Sequence, residues 1–275
     1  MNTDVDSSRT PDERSRRRRF LAASGALLFG GGGLAGCLDD SNDPNDPNGS
    51  DGNSGTDGEE AASEMTDEAT EDADGTAGPD SGPESVSFEV PHGATIDGTL
   101  YGSGDCGIVL VPQINMDRES WKPRAEALAG DGRLVLAIDE DPDDRPASVG
   151  GAIEYLRDER DVSALVLIGA SSGGEAVVRA NANAGEGTVD GTVALSAGGG
   201  ADVASDLQGR LLFVVSEGDD ERFVRVAREL HEGASEPKEL VTYGGSAHGQ
   251  GLFDSEHVDD LGGRVGALVE RACGG

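Results

Sequence analysis

Five short apolar runs recur along this chain from residue 107 onward: "GIVLVP" (107–112), "RLVLAI" (133–138), "ALVLIG" (164–169), "GTVAL" (191–195) and "LLFVV" (211–215). They are continuous rather than alternating, which is the pattern of strands buried on both faces of a parallel sheet. A sixth, half-polar run, "KELVTY" (238–243), reads as a last strand. Parallel neighbours must be joined by crossovers, and helical periodicity fills the gaps. Trp121, Ala125 and Leu128 share one face, as do Val149, Ile153 and Leu156. Phe223, Val226, Ala227 and Leu230 form a third stripe, and Leu261, Val265, Leu268, Val269 and Ala272 a fourth. Each stripe is expected to face the core. Upstream, "VSFEV" (86–90) and "TIDGTLYG" (95–102) alternate apolar and polar residues, as half-buried antiparallel strands do. The expectation is a three-layer α/β domain over residues 86–275, with a mostly parallel sheet and antiparallel first strands. Its length, about 190 residues, is one a single core can support.

The third apolar run ends in Gly169-Ala170-Ser171-Ser172-Gly173, a G-x-S-x-G sequence, and "GEAVVRANA" follows as a helix. The motif is short, so its place between strand and helix matters more than its letters. A nucleophile on such a tight turn takes a strained backbone, and residues two before and two after it come too close for side chains. Glycine at 169 and 173 removes both contacts. Ser171 would then stand at the carboxyl edge of the sheet, where the following helix N-terminus and the Ser172 amide favour negative charge. Ser172 is the rival nucleophile, since Ala170 and Gly174 also flank it with small residues.

These features resemble the α/β-hydrolase family, in outline its small capless members such as the dienelactone hydrolase-like esterases. The resemblance covers residues 86–275 and implies a triad in the order nucleophile, acid, histidine. "SEGDDERF" follows the strand "LLFVV" and offers Asp219, with Asp220 as the alternative; "GGSAHGQGLF" follows "KELVTY" and offers His248. A serine hydroxyl needs an imidazole to take its proton, and the imidazole needs a carboxylate to fix its tautomer. The other histidines fit less well: His92 lies in an early turn, His231 within a helical stretch and His257 near the start of the last helix. The family often carries His-Gly after its third strand, and this chain has Gln113-Ile114-Asn115-Met116 instead. An amide of Gln113 or Ile114 would have to join that of Ser172 in the oxyanion hole. Residues 196–209 leave no room for the helical lid many relatives insert there, so the site should be shallow and suited to small esters, thioesters or lactones. The acidic loop 139–147, "DEDPDDRPA", is expected on the same edge, either as one more salt-adapted solvated loop or as a charge that disfavours anionic substrates. In this topology Cys106 and Cys273 both fall at the opposite, lower edge of the sheet and form a candidate disulfide.

The N-terminal 37 residues read as an address. Arg16 to Arg19 precede a short apolar, glycine-rich stretch, and Arg17-Arg18-Arg19-Phe20-Leu21 resembles a twin-arginine export motif. Leu34-Ala35-Gly36-Cys37 resembles a lipobox, which implies cleavage before Cys37 and lipid attachment to it. Residues 38–85 contain no Lys, Arg or aromatic residue and read as a disordered acidic tether. The expected location is therefore the outer face of the cell membrane, reached through the lipid anchor only. The chain has 54 Asp and Glu against 21 Lys and Arg, a net charge of -33, and only two lysines. Such a surface repels nucleic acid and resembles those of salt-adapted archaeal proteins, in which molar salt screens the self-repulsion. No cofactor motif appears, and the scattered Cys and His residues show no metal-binding spacing. The reading is an exported serine hydrolase of small acyl substrates. A non-catalytic binding protein on the same scaffold is the alternative, and the oligomeric state is left open.

Overall fold

A computed structural model of the protein describes residues 82–130 and 132–274. The expected export signal, the lipobox with Cys37 and nearly all of the acidic tether lie outside the described residues.

Eight strands form one sheet: β1 (Glu84–Glu89), β2 (Thr95–Gly102), β3 (Cys106–Val111), β4 (Arg133–Ile138), β5 (Ala164–Ala170), β6 (Gly191–Leu195), β7 (Arg210–Ser216) and β8 (Lys238–Tyr243). Their spatial order is β1-β2-β4-β3-β5-β6-β7-β8. β2 pairs antiparallel with β1 and with β4, and every other pairing is parallel. Five helices cover the sheet: α1 (Lys122–Leu128), α2 (Arg145–Asp158), α3 (Ser172–Asn183), α4 (Glu221–Gly233) and α5 (Val258–Cys273).

The continuous apolar runs are explained by a sheet covered on both sides. Successive side chains of a strand point to opposite faces. Ile108 and Leu110 of β3 therefore join a core with Trp121 and Ala125 near α1 and with Leu261, Val265 and Val269 of α5. Val109 and Val111 join the opposite core with Val149, Ile153 and Leu156 of α2 and Ala176 and Val177 of α3. Phe213 of β7 packs with Val226 and Leu230 of α4.

Two sequence expectations need adjustment here. The first strand begins at Glu84, so Glu84 and Ser85 belong to the domain rather than the tether. They pair with Leu100 and Thr99, and Glu84 also binds the Arg160 guanidinium at 2.7 Å. Their side chains are exposed, so no apolar burial marks the boundary. Phe223 is the other: it sits at the first turn of α4, only half-buried, and turns from the core toward His248.

Cys106 at the start of β3 and Cys273 at the end of α5 are joined in a disulfide, with their Cα atoms 5.6 Å apart. The bridge closes a loop of 167 residues. On the chain-entropy argument that contributes about 5 kcal/mol by restricting the unfolded chain. Replacing both cysteines by serine is expected to lower the melting temperature by about 10 °C or more. Intact mass after alkylation, with and without reduction, tests the bond itself, and two freely alkylated thiols would rule it out.

Candidate active site

The strand order reverses at β3, with β4 on one side and β5 on the other. Open α/β sheets bind ligands at the carboxyl ends of the strands flanking such a switch point. Gln113 lies just past the end of β3, and Ser171 just past the end of β5.

Ser171 has φ 51° and ψ −110°, a strained conformation for a residue with a side chain. Its amide donates to the Leu195 carbonyl at 2.8 Å, and its own carbonyl accepts from Glu175 at 3.0 Å and Gly198 at 2.9 Å. The flanking glycines permit this turn. A Cβ on Gly169 would come 2.2 Å from the Gly173 carbonyl oxygen, and one on Gly173 would come 2.3 Å from that of Pro112. Ser172 is the first residue of α3, and its buried hydroxyl has no hydrogen-bond partner among the described residues. The two serines are thus separated by position: one hydroxyl meets a histidine and the other is enclosed.

His248 lies in the loop after β8. Its Nε2 is 2.9 Å from Ser171 Oγ, and its Nδ1 is 2.9 Å and 3.1 Å from the two carboxylate oxygens of Asp219. The Asp219 side chain is only 5% exposed, whereas that of His248 is 31% exposed. A buried carboxylate needs donors, and the Asp220 amide supplies one more at 2.8 Å. Asp220 plays a different part, because its own carboxylate caps α4 by accepting from the Arg222 amide at 2.9 Å. The loops carrying acid and histidine are joined by their backbones. Glu217 donates to Tyr243, Gly218 donates to Gly245, and the buried Ser216 hydroxyl donates to the Ala247 carbonyl at 2.7 Å. Phe223 packs against the imidazole, with ring centroids 4.2 Å apart.

At the end of β3, the Gln113 amide donates to Oε1 of Gln250 at 3.2 Å, and the Gln250 amide donates to Oε1 of Gln113 at 3.0 Å. Of the two residues considered there as oxyanion donors, Gln113 is therefore already engaged. Ile114 has no acceptor for its amide among the described residues. Sequence reasoning missed Gln250, Ser216 and Phe223 as members of this site. Proximity to His248 was the available signal for Gln250, and the strand end for Ser216.

A cleft of about 270 Å³ opens beside His248, with walls that include Trp121, Phe253, Met116 and Gln250. Arg124 and Asp254 bring one charge of each sign to it. The Arg124 guanidinium lies 4.5 Å over the Phe253 ring and donates to the Phe253 carbonyl at 3.2 Å. The segment between β6 and β7 holds only a 3-10 helix, Ala201–Asp206. With the sheet, its covering helices and this short connection in view, three solved structures are similar over most of their lengths. An esterase from Pyrococcus furiosus matches with TM-score 0.61 and 14% identity, over 70% of this chain and 90% of that one. A dienelactone hydrolase from Anabaena variabilis matches with TM-score 0.57 and 21% identity, over 69% and 97%. The fold is that of the α/β-hydrolases. An esterase domain from Rhodothermus marinus shares this α/β-hydrolase fold at TM-score 0.57 and 18% identity, over 69% and 98%. No family model matches the sequence, and no curated protein does.

The acidic loop after β4 does not face the cleft as a block of free charge. Asp139 binds the Arg118 guanidinium, Asp141 meets His92 at 2.7 Å, and Asp144 caps α2 through the Ala147 amide at 3.1 Å. Asp143 and Asp144 stay exposed and without an ion pair among the described residues, but no residue of this loop lines the cleft beside His248. Glu140 differs from its neighbours. Its side chain is 7% exposed and pairs with Arg145 at 3.4 Å, and its Oε1 has no hydrogen-bond partner among the described residues. Burial pushes its pKa up to about 7, against the smaller opposing pull of Arg145. A carboxyl group raised in the folded state stabilises the fold when protonated and loses that contribution as pH rises through about 7. Glu140→Gln should therefore melt a few degrees above the wild type at pH 8, and the gap should close near pH 5. Thermal melts at both pH values in the same salt measure this, and a gap independent of pH would count against it.

Proposed function

We propose that this protein is an extracytoplasmic serine hydrolase, tethered through Cys37, that cleaves small esters, thioesters or lactones. The observation that carries the reading is one continuous hydrogen-bonded chain from the Ser171 hydroxyl through His248 to Asp219. The esterases and the dienelactone hydrolase among the similar structures support it at the level of reaction class.

Ser171 Oγ attacks the acyl carbon while His248 Nε2 takes its proton, and Asp219 stabilises the imidazolium through Nδ1. The carbonyl oxygen becomes an oxyanion held by main-chain amides, with that of Ser172 at the head of α3. Collapse expels the alcohol or thiol, which receives the proton from Nε2, and leaves an acyl-serine. Water, deprotonated by the same nitrogen, then releases the acid and restores the hydroxyl.

The small cleft and the short β6–β7 connection support compact acyl groups. Rates with p-nitrophenyl esters should be highest for acetate to butyrate, because a longer chain finds no further apolar wall to cover it. A steady rise of kcat/KM to dodecanoate would contradict that substrate range. A fluorophosphonate probe in molar potassium chloride should label the protein, and failure to label would sink the hydrolase reading. The engaged Gln113 amide favours a second reading, a non-catalytic binding protein on the same scaffold. Absence of turnover across the ester panel, with an unreactive Ser171, would favour it.

A further inference from the structure

The segment after β3 has no glycine where a close turn must present an amide to the site. What holds it is a pair of side chains contributed from 137 residues apart. Gln113 and Gln250 each accept from the other's amide through Oε1, at 3.0 Å and 3.2 Å respectively. Gln250 Nε2 also donates to the Ser120 hydroxyl at 3.0 Å, and Gln250 is only 9% exposed. Gly249, between His248 and Gln250, has φ +55°, and a Cβ there would come 2.3 Å from Gln113 Oε1. Beyond Gln113 the chain closes a turn, with the Met116 amide donating to the Gln113 carbonyl at 3.0 Å and Asn115 at φ 64°. The Ile114 amide takes no part in that turn or in the glutamine pair. On its other side this strand end abuts α3, since the Pro112 carbonyl meets the space beside Gly173.

We propose that Gln113 and Gln250 form a clasp that positions the second oxyanion donor, the Ile114 amide, against the loop carrying His248. The assignment presupposes the serine-hydrolase chemistry above. Both glutamines are positioning residues: they act through the backbone of Ile114 and through the loop that begins at His248. The clasp does by reciprocal side-chain bonds what a glycine turn would do by backbone geometry alone. It also ties donor and base together, so that a shift of one moves the other. Small displacements of an oxyanion donor matter because its contribution depends on meeting the charge that develops in the transition state.

The test compares wild type with Gln250→Ala, Gln113→Ala, Gly249→Ala and Gln250→Glu in molar potassium chloride. Gln250→Ala and Gln113→Ala should each lower kcat on p-nitrophenyl acetate by about 10- to 100-fold, with KM little changed. Affinity for a trifluoromethyl ketone, which forms an oxyanion on Ser171, should fall by the same factor. The double variant should be no worse than either single one, because both remove the same clasp. Gly249→Ala should reproduce the loss by displacing the Gln113 side-chain oxygen, Oε1. Gln250→Glu should recover part of the rate, since it can accept from the Gln113 amide but, ionised, cannot donate to Ser120. Wild-type kcat in both alanine variants, or a loss confined to KM, would overturn the proposal. Hydrogen exchange over residues 112–116 judges the clasp without reference to turnover. Faster exchange in Gln250→Ala supports it, and unchanged exchange refutes it even if no ester is ever hydrolysed. Absence of turnover and of fluorophosphonate labelling in the wild type would instead remove the hydrolase reading.

Discussion

Ser171→Ala is expected to abolish fluorophosphonate labelling and to lower kcat by about 10⁴- to 10⁶-fold, leaving the melting temperature close to that of the wild type. The size follows from the chemistry. Without the hydroxyl there is no acyl-serine, and only binding and oxyanion stabilisation remain for direct attack by water. Stability should hardly respond, because among the described residues Oγ makes a single hydrogen bond, to a histidine whose side chain is itself 31% exposed. Ser171→Gly provides a second test of the same turn. At φ 51° a side chain is strained and glycine is not. This variant should be equally inactive yet more stable than Ser171→Ala, by about 1 kcal/mol after the larger chain entropy of glycine is subtracted. Labelling that persists in either variant would place the nucleophile elsewhere.

Asp219→Asn should lower kcat by about 10⁴-fold with little change in KM. The carboxylate accepts the Nδ1 proton of His248 and so leaves Nε2 free to accept from Ser171. An amide whose nitrogen faces the ring would hold the other tautomer, with a proton on Nε2 and no base left for the hydroxyl. The neighbouring residue provides the contrast. Asp220→Ala removes a helix cap and should cost about 1 kcal/mol of stability while retaining most activity. If Asp220→Ala proved the inactive variant and Asp219→Asn the active one, the roles assigned to the two carboxylates would have to be exchanged.

The parts of the site that the sequence could reveal are those with a local signature. Gly169 and Gly173 mark a turn because their role is steric and confined to five residues. Asp219 and His248 stand out because each follows a strand whose apolar run is plain. The choice between Asp219 and Asp220 had only a weak signature, the position of Asp219 three residues after Ser216. Adjacent identical residues differ only in where the turn directs them, and the loop bonds from Glu217 and Gly218 to Tyr243 and Gly245 determine that. Phe223 had a misleading one: its spacing matches the apolar stripe of α4, but its place in the first turn brings it to the imidazole instead. The start of β1 was invisible for another reason. Glu84 and Ser85 are polar and exposed, and their order comes from backbone pairing with β2.

By itself, then, the sequence determined the layered architecture, the two cysteines at one sheet edge and the residue types at three strand ends. Hydrophobic period and turn chemistry act over a few residues, and both can be read from a single chain. Only the tertiary structure decided which carboxylate meets the imidazole, which serine is left for it, and that Gln250 reaches back to Gln113. Those choices are made by hydrogen bonds between segments far apart in the chain, whose geometry exists only once the sheet has set β3, β5, β7 and β8 in their order.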